Sequence, residues 1–153
     1  MSNLRFAASK ERRVAIITGG ARGIGGATAL RIAEEGRDVV IADVLEEEGR
    51  ERVKEIEAMG QKALFVHTDV TDEGSAKACV AQAVEQFGRL DILVCCAGIL
   101  GWEKPFVEQP VEQFDKVMRT NVYGVYHFHQ AAIPPMLDGG WGRCVTITSG
   151  ARN

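Results

Sequence analysis

The chain has no run of about 18 apolar residues, so nothing in it predicts a membrane-spanning helix, and no membrane role is expected. It also lacks a basic excess. Eighteen Lys and Arg against 21 Asp and Glu give a formal net charge of −3, too little positive charge to neutralise a phosphate backbone, so nucleic acid is not an expected partner. Met1–Arg13 is polar and basic with no apolar stretch, unlike a secretory signal, and residues 1–12 are expected to form a flexible leader. The four cysteines (Cys79, Cys95, Cys96, Cys144) have neither disulfide-scaffold nor zinc spacing. Each stands among apolar neighbours, where a free thiol packs as a small hydrophobe, which points to a reducing, cytoplasmic setting. His127 and His129 are two residues apart and cannot share a metal from one helix, so no metal site is expected.

What the chain does have is alternation. Five short, continuous apolar runs (Val14–Ile17, Val39–Ala42, Ala63–Val66, Ile92–Cys95 and Cys144–Ile147) suit strands buried on both faces. Between them lie four stretches of helical spacing: Gly23–Gly36, Leu45–Gly60, Glu73–Gly88 and Val111–Met136. Gly36, Gly60 and Gly88 suit the left-handed residue that closes a helix. The order predicts one doubly wound α/β domain over 13–153, with a parallel sheet and right-handed crossovers. The last run carries no charge and no proline to guard it as an edge strand.

The first strand runs into Thr18-Gly19-Gly20-Ala21-Arg22-Gly23-Ile24-Gly25-Gly26 and then a helix. Glycines here allow a tight turn and let backbone approach a pyrophosphate, which would rest on the N–H groups opening the helix. Gly19→Val is therefore expected to fill space that the pyrophosphate needs. Asp43 closes the second strand, about 20 residues on, where a carboxylate can accept bonds from an adenosine ribose or, alternatively, cap the next helix. No Gly-Lys-Ser/Thr comes after the glycines, which excludes a nucleoside-triphosphatase loop. Within Val111–Met136, Asn121 falls on the same helical face as Phe114, Val117, Met118, Val125, Phe128 and Ala132, so it is expected to be a buried amide in need of partners. Ser149 is expected to end the fifth strand at the carboxyl edge, where open α/β sheets bind ligands.

The spacing Thr-Gly-x3-Gly-x-Gly, with Asp69-Val70, Ala97-Gly98-Ile99, Asn121 and Ser149 in register behind it, resembles the short-chain dehydrogenase/reductase family from about Arg13 to Arg152. The resemblance implies a Rossmann-type sheet of order 3-2-1-4-5 and hydride transfer between NAD or NADP and a carbonyl or alcohol carbon. It implies cofactor contacts from Gly19, Arg22, Gly23, Ile24, Gly25 and Asp43, with Asp69 and Val70 beside the adenine and Cys96, Ala97 and Gly98 further along. Asn121 would help hold a water in a proton relay, and Ser149 would bond the substrate oxygen. Where the family usually has Asn-Asn-Ala-Gly, this chain reads Cys95-Cys96-Ala97-Gly98, and thiols make those hydrogen bonds poorly.

The family's proton-donating Tyr, with a Lys four residues later, is expected about a dozen residues past Ser149. The sequence ends at Asn153, and neither Tyr123 nor Tyr126 has such a Lys. The chain is thus expected to be the cofactor-binding portion of a longer enzyme, inactive by itself, that associates as a homo-oligomer through the Asn121 helix. The alternative is a nucleotide-binding module without chemistry. An S-adenosylmethionine methyltransferase also uses a glycine loop and an acid ending the second strand, but has no use for Asn121 with Ser149. NAD is expected over NADP, because the Asp43 carboxylate would repel a 2′-phosphate, although Arg22 points mildly the other way. Leu100–Pro110, with Trp102 and Phe106, is expected to border a small-molecule substrate.

Overall fold

The computed structural model describes residues 12–101 and 105–149. Five strands, β1 (Val14–Thr18), β2 (Asp38–Asp43), β3 (Ala63–His67), β4 (Ile92–Cys95) and β5 (Arg143–Thr146), form one sheet of order β3-β2-β1-β4-β5. Every neighbouring pair runs parallel. This is the doubly wound, Rossmann-type arrangement expected.

Period-two alternation divides the strand side chains between two cores. Val14, Ile16, Val40, Leu93 and Cys95 face α3 (Glu73–Phe87) and α5 (Gly124–Asp138), where they meet Cys79, Val80, Phe128 and Ala132. Ala15, Ile17, Val39, Ile41 and Val94 face α1 (Gly23–Glu34) and α2 (Glu46–Ala58), meeting Ala29, Ala33 and Ile56. β1 and β2 are buried along their whole length, which explains why their sequences are apolar without alternation. Asp72 caps α3 by accepting from Gly74 N–H at 2.8 Å, and Gly88 ends it at φ +76°, the left-handed conformation also taken by Gly36 and Gly60.

Three expectations change. The fourth helical stretch is not one α-helix. It consists of α4 (Val111–Met118), a π-turn at Arg119–Tyr123 and then α5, with Gly124 N–H donating to the Arg119 carbonyl five residues back. One inserted residue rotates the helix before the turn by about 100° relative to the helix after it. The inner face therefore holds only after the turn: Phe128, Ala132 and Met136 are buried, whereas Phe114 is half exposed, α4 buries no residue and Asn121 is exposed. The fifth strand ends at Thr146, with one more ladder bond from Ile147 N–H to the Cys95 carbonyl at 3.0 Å, so Ser149 lies three residues beyond its end. That strand also opens on a charge, Arg143, and Cys144 is exposed rather than packed. At the other end, Arg12 belongs to the folded body, its Nε donating to Asp38 at 2.8 Å; the rest of the expected leader, residues 1–11, lies outside the described residues. Among the described residues, no helix is long and apolar enough to cross a membrane.

Candidate functional site

The chain leaves β1 toward β2 on one side and, after β3, returns to β4 on the other. The carboxyl ends of β1 and β4 therefore part at the switch point of the sheet. A cleft of about 500 Å3 opens there, within the usual size of a small-molecule site. Gly19, Arg22, Gly23, Ile24 and Gly25 line it from the turn after β1, and Asp43 from the end of β2. Asp69 and Val70 line it from the loop after β3, and Cys96, Ala97 and Gly98 from the end of β4. Eleven residues picked from four separate segments of sequence thus share one surface.

The glycine turn is held by its neighbours more than by its own flexibility. Gly19 sits at φ +64°, and a Cβ there would stand 2.8 Å from Ala97 Cα and 2.9 Å from Ala97 N. A Cβ on Gly25 would run into the Gly19 carbonyl. Both positions are therefore closed by the protein itself, a constraint on Gly19 beside the space for a pyrophosphate that the sequence suggests. Gly23, at φ +57°, has open space around it. No side chain caps α1 at Arg22, so the first-turn N–H groups belong to residues that line the cleft and have no side-chain acceptor there. An anion fits such an end.

Asp43 is buried, and both of its oxygens are engaged. Oδ2 accepts from Ala21 N–H at 3.0 Å and Oδ1 from Leu45 N–H at 3.1 Å. The carboxylate ties the glycine turn to the end of β2 while still lining the cleft, and its remaining lone pairs can accept from a ligand hydroxyl. It is not the cap of α2, which starts after Leu45 without a side-chain cap. Across the switch point, Thr18 Oγ accepts from Cys96 N–H at 3.2 Å and Ala97 N–H at 3.1 Å, joining β1 to β4 where the sheet parts. The glycine motif begins with this threonine, yet nothing in the sequence pattern assigns it a role.

After β3, Asp69 Oδ1 accepts from Thr71 N–H at 2.9 Å and from its hydroxyl at 2.8 Å, which shapes the loop and leaves Oδ2 without a described partner. The Val70 carbonyl accepts from His127 Nδ1 at 3.0 Å, and Gly124 lets α5 approach, since a Cβ there would stand 2.8 Å from Val70 Cγ2. Neither His127 nor Gly124 is marked by a sequence motif. Cys95 and Cys96 point to opposite faces of the sheet, one in each core, so they do not form a pair. Burial pushes the Cys95 thiol up to about 12, helped by Cys144 and Cys96, and burial also raises Cys96. At neutral pH both are thiols rather than nucleophilic thiolates.

Asn121 sits within the π-turn and grips the backbone of Ile99. Its Oδ1 accepts from Ile99 N–H and its Nδ2 donates to the Ile99 carbonyl, both at 2.9 Å. The amide is exposed, against expectation, but both its donor and its acceptor are partnered. It fixes the loop after β4 beside Thr120, which does line the cleft. Ser149 is exposed and is not among the lining residues. Of the loop expected to border a substrate, Trp102 lies outside the described residues, and Phe106 is exposed on a short 3-10 turn, Phe106–Glu108.

Comparison with known proteins matches the short chain dehydrogenase family model to residues 13–153. A 2,5-dichloro-2,5-cyclohexadiene-1,4-diol dehydrogenase of Sphingobium indicum is 43% identical over 137 residues, covering 90% of this chain and 54% of that protein. An uncharacterized NAD-dependent oxidoreductase of Mycobacterium tuberculosis is 37% identical over 150 residues, with the same shares covered. Carveol dehydrogenase from Mycobacterium avium, solved in complex with NAD, superposes with a TM-score of 0.86 at 30% identity, over 90% of this chain and 54% of that one. The chain spans about half the length of the relatives it matches. With the family model running from the first strand through the last, the chain belongs to the short chain dehydrogenase family.

Proposed function

We propose that the chain forms the cofactor-binding part of an oxidoreductase that moves a hydride between NAD and the carbonyl or alcohol carbon of a small molecule. The observation that carries this reading is the gathering of eleven residues from four loops into one cleft at the switch point of a parallel sheet. The uncapped end of α1 and Gly23 would hold the pyrophosphate, Asp43 the adenosine ribose, and Asp69 with Val70 the adenine. Cys96, Ala97 and Gly98 would line the cofactor toward its nicotinamide, which supplies the hydride acceptor or donor. A buried carboxylate at the ribose repels a second phosphate, so NAD is favoured over NADP despite Arg22. That two of the relatives above are described with NAD supports the same choice.

At the reacting end, Asn121 would hold the loop after β4 in place and keep the π-turn backbone beside it as a site for a relay water. Ser149 would bond the substrate oxygen. The proton donor, a Tyr with a Lys four residues later, is not among the 153 residues, so the chain by itself should not turn over. A nucleotide-binding module without chemistry is the second reading, and it rests on the same cleft. Exposed Val122, Tyr123, Tyr126, Ile133 and Leu137 along the π-turn and α5 offer an apolar and aromatic face for a second copy in the complete protein. Four free thiols fit a cytoplasmic location.

Fluorescence titration tests the cofactor. NADH should show saturable binding and NADPH weaker binding, by about tenfold. A folded chain that binds neither would overturn the reading. Turnover of an alcohol or carbonyl compound by the longer gene product would separate enzyme from module.

A further inference from the structure

We propose that Arg52, on α2, is a positioning residue for the turn between β1 and α1 and sets its affinity for a pyrophosphate. The inference rests on the dinucleotide reading above. Arg52 lies outside the cleft lining and outside the glycine motif, yet its side chain crosses from α2 to the start of α1 and is only 21% exposed. Its Nη2 points at the Ala21 carbonyl at 3.5 Å, and its Nη1 pairs with Glu55. The room for it comes from Gly26, where a Cβ would stand 3.3 Å from both Nε and Nη2. Ala21 is thereby addressed from two sides: its N–H by the Asp43 carboxylate at 3.0 Å and its carbonyl by the Arg52 guanidinium.

This placement is costly for the protein without a ligand. Arg52 Nε is buried and has no hydrogen-bond partner among the described residues. A cation beside the amino end of α1 also opposes the helix dipole, which favours negative charge there. One carboxylate, Glu55, is its only ion-pair partner among the described residues. A group so placed becomes favourable once an anion occupies the end of α1. At 3.5 Å the contact with Ala21 is long, so charge carries more of the effect than the hydrogen bond.

The test uses the full chain, wild type beside Arg52→Met and Arg52→Lys, titrated with NAD, ADP and adenosine. Methionine keeps much of the packing and removes the charge. Arg52→Met should weaken NAD and ADP about five- to tenfold and leave adenosine, which has no phosphates, unchanged. Arg52→Lys should restore at least half of that loss on a logarithmic scale. Wild-type affinity for NAD and ADP in Arg52→Met would overturn the inference, as would equal losses for ADP and adenosine, the mark of a merely structural role. If wild type binds neither NAD nor ADP, the dinucleotide reading falls, and this inference with it. Should Arg52→Met not fold, Arg52→Gln, which also removes the charge while keeping a polar side chain, carries the same ligand comparison with the same two outcomes.

Discussion

The two sides of the cleft are built differently. On the β1–α1–β2 side, strands are buried along their full length, and the glycine turn is fixed by Asp43 and closed against Ala97. On the other side β4 is largely buried, but in this chain, which spans about half the length of its relatives, every residue of β5 is exposed, α4 buries nothing, and the exposed amide of Asn121 holds Ile99 in the loop after β4. The first side is set by its own packing, so it can be ready for a ligand before the ligand arrives. On the second, the loop after β4 depends on polar contacts, so substitutions in that loop should act locally. Stability and binding are coupled on one side and separable on the other.

Gly19→Val should show the coupling most strongly. A branched side chain at positive φ, driven into the Ala97 backbone, should cost about 3 kcal/mol or more and abolish binding by loss of the fold, as urea denaturation would report. A variant that kept wild-type stability and lost only NAD would restore the pyrophosphate-space explanation. Asp43→Ala comes next. Leaving the Ala21 and Leu45 N–H groups without their acceptor should cost roughly 2 kcal/mol and weaken NAD, and removing the charge should narrow the gap to NADP without making NADP bind better than it does to the wild type. A stable variant with improved NADP binding would show that the carboxylate is there for the ribose alone.

Asn121→Ala should cost less than about 1 kcal/mol, since its amide is exposed, while speeding hydrogen exchange at Ile99 and its neighbours. A cooperative loss of the whole fold would break the claim of locality. Thiol labelling should show the smallest effect. Raised thiol pKa values mean less thiolate at a given pH, so iodoacetamide at about pH 8 should modify exposed Cys144 first and leave Cys79 and Cys95 intact in the folded chain. Labelling of Cys95 at the rate of a free thiol would contradict its burial.

Much of the rigid side was legible in the sequence. Continuous apolar runs suit strands with both faces covered and lead to a parallel, doubly wound sheet, while its order and several of the residues at its carboxyl edge follow from the family resemblance. The loose side reads less well, for physical reasons. A 3.6-residue period cannot register the π-turn at Arg119–Tyr123, so it puts Phe114 and Asn121 on a face that begins only beyond Tyr123. Strand propensity continues through Ile147 and Thr148, but the ladder with β4 does not, so Ser149 falls past the edge it was expected to mark. Thr18 and Asp43 show a different blind spot. A motif identifies residues by what they do for a ligand and is silent about their bonds to the protein, here to Ala97 and Ala21.

The contrast between the two sides is most directly tested by amide hydrogen exchange on the chain with and without NAD. Slow exchange in β1 and β2 without ligand, fast exchange in β5, and new protection on adding NAD at Ala21–Gly26 and at Leu45 are the predicted result. Protection that appeared in β5 but not in the glycine turn would contradict the account, as would β1 and β2 exchanging as fast as β5.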